Sequence, residues 1–424
     1  MASILKQVFS NRNVLAISTT NMLYNVFNGL WELWWGLYLT EVLNTPIMIV
    51  GFLATIQNTS RILFQLPGGI IADRIGRKKV IVYGTCLRVI APIFLFTARS
   101  WHWVIPGIVL NAVASLYSPA FNAIIAESLP QQRRGTAFGA YRMMTTLPSV
   151  FMPFVSGYYL EVMGISRGVR VGLMMFTGAA AIAVVVRQLV LVETLDRGEG
   201  NSLDDDGEEA PKGVMSMLRN QPRTIYAMLA AAVIGSFAAR MTWSFLAIYA
   251  YNNVGLTTTQ YGLLQSIATG ISLPLFLISG MISDRYGRVP CILLARGLGP
   301  FDSLSLLLFR NYNQLMGAYA VIGFAQGLGG GRIRSGGYMG GPAWQALIAD
   351  LVPSRNRGKI MGLMGTITGI ISIPASVIGG YIYEENPNML LSLGAGLEFL
   401  ALPIILYFVK EPKRGDAGPS LAHT

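Results

Sequence analysis

Only 12% of this chain is charged, so ionisable residues inside its apolar runs are where chemistry would concentrate. Glu32 lies deep in the apolar run 13–43. A carboxylate placed there either pairs with a cation or exchanges a proton, because an unpaired charge at membrane depth costs several kcal/mol. Arg240 is its matching cation, at comparable depth in the run 222–254. Two readings of the pair stand: a structural ion pair, or proton coupling at Glu32. Asn21, Asn25, Asn28 and Glu32 recur at helical spacing beside Trp31, Trp34 and Trp35. That stripe suits either hydrogen bonding between helices or a wall contacting a small molecule. Arg61, Arg88 and Arg142 interrupt three further apolar runs without an acidic neighbour in sequence, and with Asn58 they suit an anionic group. Arg142 also lies close enough to a run's end to snorkel to the surface. Asp302 and Glu398 are further intramembrane carboxylates, in runs that suit a scaffold role.

The elements that must position these groups are membrane-spanning helices. The chain is 53% hydrophobic, and its charged fraction is half the roughly 25% of soluble proteins. A span needs about 20 mostly apolar residues. Twelve such runs are read: 13–43, 46–72, 79–98, 101–128, 135–163, 169–193, 222–254, 258–283, 289–309, 313–351, 358–384 and 388–409. The net charge of +11 is distributed by topology and does not mark a nucleic-acid surface. With a cytoplasmic N-terminus, twenty of the 32 Lys and Arg fall on the cytoplasmic side, and four, Arg99, Arg167, Arg170 and Arg310, on the other. This follows the positive-inside rule and puts both termini in the cytoplasm. Two cysteines and two histidines exclude a disulfide framework and a histidine-rich metal site. No cleavable signal peptide is read. No Gly-x-x-x-x-Gly-Lys-Ser/Thr loop occurs for ATP, and no cofactor or enzymatic nucleophile–base pair is expected.

The chain repeats itself. "GGIIADRIGRKK" at Gly68–Lys79 returns as "SGMISDRYGR" at Ser279–Arg288, an offset of 211 that also matches Tyr38 with Tyr249 and Arg99 with Arg310. "SPAFNAIIAESLPQQRRG" from Ser118 returns as "GPAWQALIADLVPSRNRG" from Gly341 at an offset of 223. The twelve extra residues are the glycine-rich Gly329–Gly340, which are expected to break the tenth span, since glycine is a poor helix interior. Two six-span halves, 1–194 and 222–424, are therefore expected around a linker, 195–221, whose first part is acidic and glycine-rich.

The repeated loop resembles the signature of the Major Facilitator Superfamily: Gly69, Asp73, Arg74, Gly76 and Arg77 in one copy, Gly280, Asp284, Arg285, Gly287 and Arg288 in the other. The second copy departs from the signature at Val289 and Pro290. The resemblance covers the whole chain. It implies an all-α fold of twelve transmembrane helices in two pseudo-symmetric six-helix bundles. It also implies a substrate path between the bundles and alternating access by rocking, with the repeated loops as a conformational latch. Arg77 is expected to pair with Glu127, and Arg288 with Asp350. A proton-coupled monomeric secondary transporter of the cell membrane results, with protons, lipid and a small-molecule substrate as partners and no nucleic acid. The reading favours export of an amphipathic compound, as in multidrug-type members, over uptake or exchange of an organic anion or sugar. Two departures count against drug export: span 4 has no basic residue, and span 5 lacks Gly-Pro-x-x-Gly-Gly. A transport-dead sensor on the same fold is the rival of another class.

Overall fold

The computed structural model describes residues 10–128, 141, 143–194, 221–329 and 341–411. The linker 195–220, the residues 330–340 of the glycine-rich insertion and Arg142 lie outside these residues. Among the described residues helices follow one another without a strand. Sequences this apolar leave the backbone no water to bond, so each segment satisfies its own N–H and C=O groups as a helix.

The first half contains α1 (Arg12–Gly29), α2 (Trp35–Leu37), α3 (Ile47–Ile75), α4 (Arg77–Phe96), α5 (Val104–Ala114), α6 (Tyr117–Ser128), α7 (Pro148–Met163) and α8 (Ile165–Val190). The second contains α9 (Arg223–Asn252), α10 (Thr258–Tyr286), α11 (Arg288–Leu298), α12 (Phe301–Leu308), α13 (Tyr312–Gly329), α14 (Pro342–Leu351), α15 (Ser354–Ile371), α16 (Ala375–Glu385) and α17 (Pro387–Phe408). Several expected spans are thus two helices in line, as with α5 and α6 or α15 and α16. Among the described residues eight helices meet the length and hydropathy of a span, or nine if the bent pair within 258–286 is one span.

The first span does not run straight. Asn11 caps α1 through its side chain, which accepts from the backbone N–H groups of Asn13 and Val14. After Gly29 the chain passes through a 3₁₀ turn at Glu32–Trp34, the short α2 and a π-turn at Tyr38–Val42. Irregular turns of this kind inside a span often mark functional sites.

The chain forms two compact units. The first holds the described residues of 1–206 together with 247–266, and the second holds those of 207–246 and 267–424. In the first unit α1, α3, α4 and α6 bury Ile17, Ala72, Ile81, Phe121 and Ile124 against one another. The turn between α9 and α10 also packs into this unit. Thr258 Oγ1 donates to the Gly157 carbonyl at 2.7 Å, and the Phe154 N–H donates to Ser266 Oγ at 3.0 Å. In the second unit Met228, Ile292, Trp344, Leu347, Met364 and Ile405 form the core.

Helices in these units approach closely because small residues lie at the contacts, the usual device where lipid removes any hydrophobic drive between helices. A Cβ at Gly379 would collide with the Met241 carbonyl oxygen, whereas one at Gly396 would meet nothing within 4 Å. Gly379→Leu is expected to destabilise the protein by about 1–3 kcal/mol or more through overpacking, and Gly396→Ala is expected to be silent. Thermal unfolding of the two purified variants in detergent checks this, and equal midpoints would show that α16 can shift to make room.

Candidate functional site

The duplicated loop is built the same way in both units. In the first, α3 ends at Ile75 and α4 begins at Arg77, so the chain reverses within Gly76, at φ 105°. In the second, Gly287 turns at φ 96° between α10 and α11. Residues with a Cβ rarely adopt such angles, so glycine is required at both places. A carboxylate then approaches each turn. Glu193, just beyond α8, accepts from the Arg77 N–H at 3.2 Å and the Lys78 N–H at 3.0 Å. Glu411, just beyond α17, accepts from the Val289 N–H at 2.7 Å. Each carboxylate therefore satisfies orphan N–H groups and meets the positive end of a helix dipole.

The loop charges pair within their own units. Arg77 forms an ion pair with Glu127 and lies 3.7 Å from Asp73, whose carboxylate is otherwise exposed. Arg288 forms an ion pair with Asp350 and donates to the Ala346 carbonyl at 2.6 Å. Arg74 before the turn is exposed and Lys78 after it is half-buried, Gly69 faces Pro119 at ordinary contact distance, and a Cβ at Gly280 would meet nothing within 4 Å. Asp284 is exposed, and the Arg285 guanidinium lies over the Tyr286 ring.

A second cluster occupies the interior of the first unit. Arg187 of α8 is 1% exposed. Its guanidinium donates to Thr20 Oγ1 at 3.2 Å, Thr85 Oγ1 at 2.7 Å and Asn21 Oδ1 at 2.9 Å, and lies over the rings of Tyr117 and Phe121. Arg88 of α4 donates to the Tyr24 hydroxyl at 2.6 Å and lies over the rings of Tyr24 and Tyr117, 5.0 and 5.2 Å from their centroids. Its Nε is buried without a hydrogen-bond partner. Arg61 of α3 is exposed and interacts electrostatically with both Arg88 and Glu32. Glu32 itself sits on the 3₁₀ turn that interrupts the first span, is exposed, and accepts a hydrogen bond from Asn28 Nδ2.

The asparagine stripe divides its roles. Asn21 donates to the Tyr141 hydroxyl at 2.9 Å and Asn25 to the Thr145 carbonyl at 2.8 Å, so both tie the helices of the bundle together. Asn28 alone turns to Glu32. Asn58 lies one turn before Arg61 on α3. Trp34 is buried, with its indole N–H donating to Ser156 Oγ at 2.9 Å, while Trp35 stacks on Tyr38. Arg240 belongs to the second unit, where its carbonyl accepts from Ser376 Oγ at 3.2 Å. Asp302 and Glu398 are buried there as well. No cluster of metal-ligand residues occurs among the described residues.

Residues 15–336 match the model of the Major Facilitator Superfamily. The chain belongs to this superfamily. It is 22% identical over 355 residues, 82% of each chain, to the uncharacterized MFS-type transporter MJ1317 of Methanocaldococcus jannaschii. It is 23% identical to the probable galactarate/D-glucarate transporter GudP of Escherichia coli over 46% of this chain and 44% of that one. It is 27% identical to the efflux pump dotC of Dothistroma septosporum over 49% of this chain and 34% of that one. Its fold is similar to the solved structure of the nucleoside transporter NupG, with a TM-score of 0.72 at 14% identity over 94% of this chain and 100% of that one. The chain is thus a multi-pass membrane transporter of a small substrate with the fold of this superfamily.

Three charged residues of this transporter's clusters escape a reading of the sequence: Arg187, Glu193 and Glu411. A signal for the glutamates was present, because Glu193 is the last residue of the sixth apolar run and Glu411 lies just past the twelfth. Arg187 sits in an apolar run like the other arginines, and only the packing of α8 shows what it touches. The cap makes a prediction. A Cβ at residue 76 would stand 2.8 Å from Glu193 Oε2 in a backbone conformation that disfavours it, so Gly76→Ala should lower thermal stability. Glu193→Ala should cost about 1 kcal/mol, the usual value of a lost cap. Measured by thermal unfolding, a Gly76→Ala variant as stable as the parent would show that the turn relaxes freely.

Proposed function

We propose that this protein is a proton-coupled secondary transporter of the cell membrane that works by alternating access, with Glu32 as the coupling residue. The observation that carries the reading is Glu32 itself: an exposed carboxylate on a break in the first span, accepting a hydrogen bond from Asn28. A helix interrupted at an ionisable residue is how transporters of several folds build an ion or substrate site. The distribution of twenty Lys and Arg against four supports cytoplasmic termini, and a monomer is sufficient for the mechanism. In this reading the pairs around Asp73, Arg77 and Glu127, and around Asp284, Arg288 and Asp350, act as a latch that breaks and reforms in each cycle. A static sensor on the same fold needs no such breakable contacts, which favours transport.

The relatives' names point in two directions, to efflux and to galactarate/D-glucarate transport. The substrate class must therefore come from the site. The coupling reading is tested in proteoliposomes holding a pH-sensitive dye, to which organic anions, sugars and amphipathic cations are added in turn. One class should elicit proton movement, and Glu32→Gln should abolish it. Unchanged proton movement in Glu32→Gln would remove Glu32 from the mechanism. Asp73→Asn should slow the same flux severalfold while leaving the unfolding temperature near that of the parent. A variant with unaltered flux would reduce Asp73 to a surface anchor.

A further inference from the structure

The start of α10 seats on α7 through a pair of glycines. A Cβ at Gly157 of α7 would stand 2.3 Å from the Thr258 carbonyl oxygen, and a Cβ at Gly262 of α10 would stand 2.2 Å from the Pro153 carbonyl oxygen. Each helix thus lays a carbonyl on the other's glycine, a close approach that a residue with a Cβ would block. Hydrogen bonds run along the same joint. Thr258 Oγ1 donates to the Gly157 carbonyl at 2.7 Å, and the Phe154 N–H donates to Ser266 Oγ at 3.0 Å. Glu161, one turn beyond Gly157, accepts from the Thr259 N–H at 3.2 Å. Beside the joint, Asn252 Nδ2 donates to Glu41 Oε1 at 3.0 Å, and the rings of Trp34 and Tyr261 meet edge to face.

The joint brings together parts of the chain that the repeat assigns to different halves. Residues 247–266 pack in the first unit, whereas the rest of the same two helices, 223–246 and 267–286, belong to the second. Alternation of the spans puts the joint at the end of the helices opposite the duplicated loops. The bond to Glu161 is not needed to build α10, because that helix caps itself. The Thr257 N–H donates to Gln260 Oε1 at 3.0 Å and the Gln260 N–H to Thr257 Oγ1 at 3.2 Å, a reciprocal capping box. The Glu161 carboxylate is exposed, and water can take its place on an N–H of the first helical turn. Close shape is thus combined with a bond that solvent replaces, which suits a contact that parts and reforms. We infer that this joint closes the transport path at the end remote from the duplicated loops, with Glu161 as its catch. The path opens there by lifting Gly157 from Thr258 and Gly262 from Pro153. This rests on the alternating-access reading and does not involve Glu32.

The test uses the full-length protein in detergent, with Cys86→Ala and Cys291→Ala removing the native thiols and Thr259→Cys as reporter. The Thr259 hydroxyl is buried at the joint, and the bond to Glu161 comes from the backbone, so the reporter leaves that bond in place. A water-soluble maleimide should label the reporter slowly. Gly157→Ala and Gly262→Ala should each speed labelling about tenfold, because overpacking disfavours the closed joint and shifts the population to the open one. Glu161→Ala should speed it severalfold, and Gly396→Ala, where a Cβ meets nothing, should not change it. Wedge variants that unfold at lower temperature with unchanged labelling would make the joint a permanent packing contact and overturn the proposal. Equal acceleration by Gly396→Ala would overturn it as well. Unchanged labelling in Glu161→Ala, where the wedges accelerate it, would strip Glu161 of its role as catch. Should both wedges fail to fold, Glu161→Cys with Thr259→Cys gives a second route. Oxidation should join the two thiols and stop the proton flux in proteoliposomes, and reduction should restore it. Full flux through the cross-linked protein overturns the proposal. The two readings fail separately: proton movement that survives Glu32→Gln leaves the labelling result untouched, and labelling indifferent to the wedges leaves coupling at Glu32 standing.

Discussion

A guanidinium buried without a carboxylate organises the first unit. Arg187 reaches from α8 to Thr20 and Asn21 on α1, to Thr85 on α4 and to the rings of Tyr117 and Phe121 on α6. One side chain therefore ties four helices together, and each partner must present an acceptor or a ring face at the right height. In an apolar bundle such a network is all or nothing, because every unsatisfied donor carries its full desolvation cost. Asn21 extends the network by donating to Tyr141. Asn13, Thr20, Asn21 and Asn25 of α1 are thus committed to structure, whereas Asn28 turns to Glu32 on the 3₁₀ turn that follows.

The break in the first span follows from the same division. Up to Gly29 the helix is regular, and Asn13, Thr20, Asn21 and Asn25 are bonded to neighbouring elements. From Leu30 onward three tryptophans must be accommodated, two of them buried, and the backbone passes through 3₁₀ and π turns before the chain reverses. The carboxylate falls on the irregular part. It accepts a hydrogen bond from the side-chain amide of Asn28, near the end of α1.

The duplicated loop shows a different economy. Both copies need glycine at the turn for its positive φ, and both bring a glutamate from the last span of their half onto the first N–H groups of the third. The carboxylates Glu127 and Asp350 serve the arginines, while Glu193 and Glu411 serve the backbone. A loop loaded with arginine and lysine is thereby anchored on the acidic side at two points in each unit.

Much of this was legible in the sequence. Apolar runs of span length, the charge asymmetry of the loops and the half-chain repeat each follow from one dimension, because membrane thickness and the positive-inside rule act on composition along the chain. The pairing of Arg77 with Glu127 and of Arg288 with Asp350 was also readable, since the repeat places each acid at the same loop. Tertiary structure alone decided which intramembrane charges are structural and which are left over. Arg187 and Arg88 look alike in sequence, each a lone arginine in an apolar run. Packing gives each guanidinium nitrogen of Arg187 an acceptor and leaves Nε of Arg88 without one. It also decided that 247–266 packs with the first unit, because a helix's membership in a compact unit depends on which side chains it meets in space, and hydropathy along the chain carries no record of that.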